Sequence, residues 1–410
     1  GMTGNNAGIG NYATQQTVAG PVYYPYDGVY AAGYYPNSII DNNLTWETSK
    51  EWNAGVDFGF VRDRITGSVD FYNKTSQNLL YSVQLPLEAG GGTLTTNVGS
   101  VLNRGVEVAL KTVNVDLNGW RWETSFTLAH NTNRVLEING SGTDLPNDGL
   151  FIGKSINNVY DYQWDGIVSD LDMVVPDHQI AKDKGFKPGE TVTSRDYYYA
   201  CYGWVEGNPI IKDVNGDGKF TDEDKKVYCS DPIVTGSMTS TLTYKGFEFQ
   251  FSLYGKFGNT VASNFYGEYL NYSDRGRQKI AMDYYIPAGT LIDCDGVRAD
   301  GTYINPVYQE TTHYGTYPFP NNGGQGNGLQ SASSYWLNAT NMIVDASYLK
   351  VKNITLAYSL QKKELEKIHM QKLRIYCTIT NPLVATKYMG FDPEWAGADL
   401  KNDGPSTLNV

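Results

Sequence analysis

The sequence has few charged residues, few basic ones and no long apolar run, and each shortage excludes a class of protein. Charged side chains make up only 19% of the 410 residues, and 44 acidic against 32 basic side chains give a net charge of −12. Such an acidic chain is poorly suited to the phosphate backbone, so nucleic acid is not an expected partner. No segment approaches the ~18 consecutive apolar residues of a membrane helix, which excludes a helical membrane protein but not a β-barrel.

Cysteine and histidine are also scarce, and their spacing fits no common metal or catalytic motif. The four cysteines form no C-x-x-C pair and the four histidines no i, i+4 pair, which argues against zinc sites. There is no G-x-S-x-G sequence, and we predict that the chain is not an enzyme. Cys201 and Cys229 flank one acidic loop and could pair in an oxidising compartment, with four free thiols as the alternative. The first residues, GMTGNNAGIGNYA, predict no signal peptide.

Glycine and tyrosine are abundant instead, and apolar residues alternate with polar ones. The 44 glycines and 32 tyrosines favour many strands joined by turns over a helical bundle. In residues 52–60, Trp52, Val56 and Phe58 fall on one side and Asp57 on the other, as expected of a strand with two unlike faces. The same alternation recurs in residues 65–72, 106–111, 120–128, 247–253, 354–358, 373–379 and 400–410.

The connections between these segments have two very different lengths. Short ones lie at residues 61–64, 117–119 and 245–246 and at a predicted helix, Gln361–Met370. Long polar ones are predicted at 75–103, 132–234 and 258–346. Soluble β-sandwiches rarely have such long connections, whereas outer-membrane barrels combine short turns on one side with long loops outside. The sequence therefore predicts an all-β fold, an antiparallel transmembrane β-barrel with extracellular loop regions at 132–234 and 258–346. A soluble β-protein is the alternative.

One loop has the residue pattern of a calcium site. Residues 213–224 are DVNGDGKFTDED, in which oxygen-bearing side chains recur at EF-hand-like spacing around a glycine at the sharp turn. The predicted ligands are Asp213, Asn215, Asp217, Lys219 through its carbonyl, Thr221 and Asp224. The single copy favours a structural Ca²⁺ that holds a long loop over a paired EF-hand domain. An acidic loop without an ion is the alternative.

Aromatic residues are concentrated in two polar segments. The first contains Tyr23, Tyr24, Tyr26, Tyr34 and Tyr35, and the second contains Tyr197, Tyr198, Tyr199, Tyr202 and Trp204. Exposed aromatic rings suit stacking on sugars or packing against a partner protein, so the second group is predicted to bind a ligand. Rings that only hold a loop together are the alternative.

Several of these segments resemble, in order, the barrel of SusC/RagA-type TonB-dependent outer-membrane transporters. They are LTWETSKEWNAGVDFGFVRDRITGSVDFYNKTSQNLLY (44–81), NVGSVLNRGVEVAL (97–110), WRWETSFTLAHNTNRVLEI (120–138), KDVNGDGKFTDEDKKV (212–227), ASYLKVKNITLAYSL (346–360) and LRIYCTITNPLVATKYMGFDPE (373–394). The resemblance covers nearly the whole chain. It implies that residues 1–410 are a C-terminal part of the barrel domain, with about nine or ten of the ~22 strands of a plugged barrel and without the plug domain and signal peptide.

The resemblance further implies import of oligosaccharides or oligopeptides across the outer membrane of a Gram-negative cell. A SusD-like surface lipoprotein would cover the extracellular loops, TonB would supply energy, and the strands would contact membrane lipid. The alternative is a calcium-stabilised, cell-surface glycan-binding β-protein without transport activity. The two differ in where Trp52, Val56 and Phe71 point, because a soluble protein would bury them between two sheets.

Overall fold

The computed structural model describes residues 1–5, 15, 18–36, 40–84, 93–263, 283–319, 343–367, 369–390 and 392–396. The chain forms two units, each built from three separate segments. The first comprises Gly1–Asn158, Cys229–Asn259 and Tyr348–Ala385. The second comprises Val159–Tyr228, Thr260–Ser347 and Thr386–Val410.

The first unit is dominated by a nine-stranded sheet in the order β1-β4-β5-β6-β7-β14-β15-β22-β23. Its strands are β1 (Met2–Asn5), β4 (Glu47–Phe60), β5 (Ile65–Gln84), β6 (Thr93–Leu117), β7 (Trp120–Glu137), β14 (Val234–Tyr244), β15 (Phe247–Phe257), β22 (Tyr348–Ser359) and β23 (Arg374–Thr386). The pairings from β1 to β22 are antiparallel. The nine described strands agree with the number expected from the sequence.

Left-handed residues at the short connections join neighbouring strands tightly. Asn118 and Gly119 have φ of 53° and 81°, and Lys245 and Gly246 have φ of 45° and 92°. Two consecutive positive φ angles define the type I′ turn, whose twist matches that of the flanking strands. The predicted helix is also confirmed, as α3 (Lys362–Lys367) between β22 and β23.

The register of the sheet separates a polar face from an apolar one. Asp70 pairs with Gly55 and Glu107 on one face, while Phe71 pairs with Ala54 and Val106 on the other. On the apolar face the side chains are exposed, at 58% for Trp52, 66% for Val56 and 48% for Phe71. In the described part of the chain this face is therefore not buried against a second sheet, in contrast to what a β-sandwich requires.

The predicted loop at 75–103 is wrong, because most of it is paired strand. Thr75 pairs with Leu102 and Tyr81 with Thr96, so β5 and β6 extend far beyond their alternating segments. The register shifts between Ser76 and Leu80, and Asn78 has a φ of 56°. Such bulges interrupt the two-residue alternation, which is why this part of the two strands has the pattern of a loop.

The second unit consists mainly of the connections that follow β7, β15 and β23. Its strands are β8 (Asn158–Tyr162), β9 (Trp164–Ile167), β10 (Asp172–Val174), β11 (Thr191–Thr193), β12 (Pro209–Ile211), β13 (Lys225–Cys229), β16 (Thr260–Ala262), β17 (Leu291–Asp293), β18 (Gly296–Val297), β19 (Tyr303–Ile304), β20 (Val307–Tyr308) and β21 (Ile343–Asp345). One terminal residue of β8, Asn158, and one of β13, Cys229, belong to the first unit. The strands form two-stranded sheets with α1 (Gln179–Asp183) and α2 (Ser194–Tyr202) between them. No described helix has the length and apolarity needed to cross a membrane.

The described parts of the predicted long connections are therefore structured, and the bounds of the connections differ slightly from those expected. The first runs from the end of β7 at Glu137 to Val234, and the second from Phe257 to Tyr348. Both contain their own strands, so neither is a structureless loop. The strand predicted at 400–410 lies outside the described residues.

The first tyrosine-rich segment forms a separate hairpin of β2 (Val18–Tyr26) and β3 (Val29–Pro36). All five predicted tyrosines are at least half exposed: Tyr23, Tyr24, Tyr26, Tyr34 and Tyr35. The hairpin turns at Asp27 and Gly28, which have φ of 48° and 77°. The rings are thus accessible, as packing against a partner or stacking on a sugar would require.

The β14–β15 turn provides a test of this fold. A Cβ at Gly246 would lie 2.5 Å from the carbonyl oxygen of Ser359, and the φ of 92° is unfavourable for any other residue. We expect Gly246→Val to lower the free energy of unfolding by about 2 kcal/mol. The change should appear as a lower urea midpoint. Gly4→Ala is the control, because the nearest atom to its Cβ would be 3.6 Å away, and an equal loss in both variants would contradict the argument.

Candidate functional site

The polar face of the sheet carries pairs of hydroxyl groups that bond across neighbouring strands. Oxygen atoms lie 2.7 Å apart in the pair Thr127–Ser237 and 3.0 Å apart in Thr239–Ser252. Two further pairs are Ser49–Ser76 and Thr355–Thr378. Sequence analysis did not identify these pairs, although the Ser or Thr at every second residue of β14 would have indicated those that involve this strand. Together they make a polar surface whose hydroxyl groups partly satisfy one another.

The predicted calcium loop is held by its own acidic side chains. The Asp213 carboxylate accepts hydrogen bonds from the backbone N–H groups of Gly216 and Gly218, at 2.6 and 2.7 Å. The Asp224 carboxylate accepts from the N–H groups of Val214 and Thr221, at 2.8 and 2.9 Å. Each of these four carboxylate oxygens therefore accepts one backbone bond and retains a further lone pair.

Asp217 and Asn215 complete this network in the same way. The Asn215 side-chain oxygen accepts from Asp217 N–H at 3.0 Å, and the Asp217 carboxylate accepts from Lys219 N–H at 2.7 Å. Thr221 caps the short 3₁₀ turn Asp222–Asp224. The predicted ligands are thus close in sequence and folded into one tight loop.

Gly218 is required where the loop meets His178. Its φ is 74°, and a Cβ there would lie 2.8 Å from the His178 Cβ. The His178 Nε2 is 3.6 Å from an Asp213 oxygen. The imidazole thus covers the sharp turn, and a larger residue than glycine cannot be accommodated at position 218.

The chemistry of the predicted ligands fits a hard cation. Asp224 is fully buried, and none of the ion pairs in the described part of the chain involves it. A buried carboxylate without a cation is costly, even when it is hydrogen-bonded. Among the described residues no group of three or more His, Cys, Asp or Glu side chains is arranged so that it could hold a metal ion. An ion here would therefore depend on amide, hydroxyl and carbonyl oxygens as well as on Asp213 and Asp224, which suits calcium.

The second aromatic group lies inside the second unit. Tyr197 is 1% exposed and Trp204 is 4% exposed. Tyr198 stacks on Trp204, with ring centroids 5.3 Å apart and an interplanar angle of 3°. Burial raises the pKa of the Tyr198 hydroxyl above its usual range. These rings form a packed cluster and are not available for stacking on a ligand, whereas Tyr199 is 63% exposed.

The aromatic cluster also contacts the acidic loop. Phe220 packs on Trp204 and Tyr202, with centroids 4.8 and 5.0 Å apart. The Tyr202 hydroxyl donates to the Gly218 carbonyl at 2.9 Å, and burial raises its pKa above the usual range. Two of the residues predicted to bind ligand, Tyr202 and Trp204, therefore contact the loop predicted to bind calcium.

The predicted disulfide is not formed. Cys201 is a buried free thiol in the aromatic region, and Cys229 is an exposed free thiol. Cys294 and Cys377 are also free. Burial raises the pKa of the Cys201 thiol, so it is packed as a small apolar side chain.

Two carboxylates of the first long connection bind tyrosines of the second. The Tyr285 hydroxyl donates to Glu206 at 2.7 Å, and Arg195 donates to the other Glu206 oxygen at 3.2 Å. The Tyr314 hydroxyl donates to Asp170 at 2.8 Å. These bonds join the connections that follow β7 and β15 into one unit. Sequence analysis missed them because the partners are far apart in the chain.

Comparison with known families identifies the first part of the chain. Residues 7–181 match the family model described as TonB dependent receptor-like, beta-barrel. These residues belong to part of a TonB-dependent receptor β-barrel. Receptors of this kind lie in the outer membrane and form a family of transporters and receptors rather than enzymes, so the nine-stranded sheet is part of an outer-membrane barrel.

Relatives and solved structures extend the similarity over most of the chain. The chain is 28% identical to the TonB-dependent receptor SusC of Bacteroides thetaiotaomicron, over 90% of this chain and 32% of that protein. It is 27% identical to the TonB-dependent receptor P39 of Formosa agariphila, over 88% of this chain and 34% of that protein. A structure of the RagAB peptide transporter has the same fold, with a TM-score of 0.60, 22% identity, and coverage of 97% of this chain and 38% of that one. The chain spans about a third of the length of these relatives.

The aromatic cluster gives a prediction that separates a structural role from a binding role. We expect Trp204→Ala to destabilise the second unit by about 3–5 kcal/mol, because it leaves a large cavity among buried rings. Tyr199→Ala should change stability by no more than about 0.5 kcal/mol, because that ring is exposed. Hydrogen exchange of residues 191–212 measures both. Comparable protection of these amides from hydrogen exchange in the two variants would contradict a structural role for the buried Trp204 ring.

The Tyr285–Glu206 bond gives a prediction with a defined pH dependence. Burial, and then the bond to Glu206, raise the pKa of the Tyr285 hydroxyl above its usual range. Its stabilising contribution is therefore complete below the unfolded-state pKa of ~10 and is lost as pH rises towards the folded-state pKa. We expect Tyr285→Phe to be about 1 kcal/mol less stable than wild type at pH 8. The difference should shrink above pH 10 in urea titrations, and a constant difference would contradict the assignment.

Proposed function

We propose that this chain provides part of the barrel wall and the external connections of a transporter that imports oligomeric nutrients, glycan or peptide, across the outer membrane. The observation that carries the proposal is the two-faced sheet, with exposed Trp52, Val56 and Phe71 on one side and charged or hydroxyl groups on the other. Lipid would contact the apolar face and solute the polar one. No catalytic step is part of the proposal.

Aromatic residues at one end of the strands support the lipid-facing assignment. Trp120 stacks on Tyr244 with centroids 4.1 Å apart, and Phe247 lies 4.6 Å from Tyr358. All four are next to the short connections of the sheet. Aromatic rings of this kind form the interfacial girdles of membrane barrels, so the short connections would lie at the periplasmic boundary and the long ones outside the cell.

Partners follow from the same assignment. A SusD-like lipoprotein would cover the long connections, and TonB would supply the energy through a part of the transporter other than this barrel wall. The chain's similarity to SusC and to RagAB supports both partners. The alternative function, a calcium-stabilised glycan-binding surface protein, would need the apolar face to be covered by protein, and the exposure of Trp52, Val56 and Phe71 argues against it.

A charge placed on each face of β4 tests the proposal. We expect Val56→Arg to cost about 2–4 kcal/mol, because the charge would lie in hydrocarbon, and to reduce the amount of folded receptor in the outer membrane. The neighbouring Asp57→Arg points to the polar face and should leave the folded amount nearly unchanged. Heat-modifiable mobility of full-length receptor in isolated outer membranes measures this. If both variants fold equally well, β4 does not face lipid.

Uptake experiments test transport itself. Cells that lack the receptor should fail to take up a labelled oligosaccharide or oligopeptide mixture that the parent strain imports. The full-length gene should restore uptake, and removal of TonB should abolish it again. Equal uptake by parent and deletion strains on both mixtures would contradict the proposed function.

We further propose that residues 213–224 bind one structural calcium ion. Asp213, Asn215, Asp217, Thr221 and Asp224 and the Lys219 carbonyl would hold it. Calcium would neutralise the buried Asp224 and fix the loop on the aromatic cluster. It would have no part in moving the solute.

Calorimetric titration of full-length receptor with CaCl₂ tests this ion. We expect one site in the wild type and at least a tenfold weaker site in Asp213→Ala. Asp222→Asn is the matched control, since Asp222 is an exposed acidic residue of the same loop that pairs with Lys225. Absence of calcium binding to the wild type, or equal loss in both variants, would contradict the site.

A further inference from the structure

A cavity of about 260 Å³ opens on the polar face of the first unit. It lies where β5, β6, β7 and β14 approach the long connections, and its wall includes Tyr72, Asn103, Asn131, Asn133, Asn157 and Asp231. Its volume is close to the ~300 Å³ lower limit of common ligand pockets. None of the described lining residues is a Lys, Arg or His.

Gly105 creates the floor of this cavity. It pairs with Tyr72 on β5 and with Asn131 on β7, and a Cβ at position 105 would lie 2.8 Å from the Tyr72 ring. The absence of a side chain lets the ring lie across the strand, and the Tyr72 hydroxyl then donates to the Asn131 amide oxygen at 3.0 Å. The ring and the amide are therefore fixed in place before any ligand arrives.

The amides around this floor keep donors available. The Asn131 oxygen is used by Tyr72, and the Asn103 oxygen accepts from the Asn133 nitrogen at 2.6 Å. Among the described residues, the amide nitrogens of Asn103 and Asn131 donate to no protein acceptor. These two N–H₂ groups are therefore available to a ligand oxygen.

Asp231 supplies the opposite chemistry on the other side of the cavity. One of its oxygens accepts from Asn157 at 2.8 Å and the other from Ser155 at 2.5 Å. Each oxygen retains a lone pair for a ligand hydroxyl. A fixed carboxylate without a lining cation disfavours anionic ligands, whereas hydroxyl groups can both donate to Asp231 and accept from the amides.

We propose that this cavity is a subsite for one ring of a neutral saccharide. The Tyr72 ring would contact the apolar face of the sugar, the Asn103 and Asn131 amides would donate to its hydroxyl oxygens, and Asp231 would accept from its hydroxyl groups. The inference rests on the proposed import function and narrows its substrate from glycan or peptide to neutral glycan.

Binding to full-length receptor in detergent tests the subsite. The probes are maltohexaose and cellohexaose, a galacturonic acid hexamer, and a neutral hexapeptide blocked at both ends. We expect a neutral hexaose to bind best, and Asn103→Ala and Asn131→Ala each to weaken it about tenfold through the loss of one or two bonds. Asn353→Ala is the control, because Asn353 lies on the same polar face in β22 and outside the cavity.

Several results would overturn the subsite. The first is an equal affinity for saccharide in the cavity variants and in Asn353→Ala. The second is tighter binding of the peptide or of the acidic hexamer than of the neutral hexaoses, if the cavity variants weaken that binding. The third is that no probe binds to the wild type. Uptake by cells separates this failure from failure of the proposed function. Unchanged saccharide uptake in Asn131→Ala refutes the subsite and leaves transport intact, whereas saccharide binding that depends on Asn131 without any uptake supports the subsite and refutes transport.

Discussion

Backbone hydrogen bonding between neighbouring strands is the constraint on which the remaining structure depends. A strand in hydrocarbon has no water to satisfy its N–H and C=O groups, so each strand must lie between two others in register. The continuous antiparallel pairing from β1 to β22 meets this requirement for the strands between them. Since residues alternate across a paired strand, the same register fixes which side chains lie on the apolar face and which lie on the polar face.

The sheet therefore cannot supply a conventional hydrophobic core, and the structure places most of its core elsewhere. The large buried apolar residues cluster in the second unit, around Val168 and Trp204, around Val175 and Tyr197, and around Tyr284 and Tyr388. The long connections thus fold like small soluble domains. Tyr285 and Tyr314 join two of them through hydrogen bonds to Glu206 and Asp170.

The sheet was largely predictable from the sequence because its determinants are local. Alternation identifies the faces of β4 to β7, and Asn118-Gly119 marks its turn. The strand ends at 75–84 and 93–103 were not predictable, because bulges near Asn78 break the alternation while the backbone pairing continues. The loop that is predicted to bind calcium could be identified from the spacing of its oxygen-bearing residues alone. The aromatic rings that pack against this loop could not be identified, because the sequence of α2 does not show whether its tyrosines face solvent or Phe220.

The cavity was also beyond local reasoning, since Tyr72, Gly105 and Asn131 come from three strands and meet only through register.

The paired hydroxyl groups limit how strongly the polar face can bind a solute. In Thr127–Ser237 and Thr239–Ser252 either oxygen can be the donor, so each pair uses one of its two hydroxyl hydrogens internally and has only one left for another acceptor. Such a surface is hydrated, but it binds a solute more weakly than a surface of unpaired polar groups would. The amide-lined cavity is different, because the amide nitrogens of Asn103 and Asn131 have no protein acceptor among the described residues. A saccharide bound in the proposed subsite would therefore meet two fixed amide donors, whereas elsewhere on this face it would meet hydroxyl groups that are already partly paired.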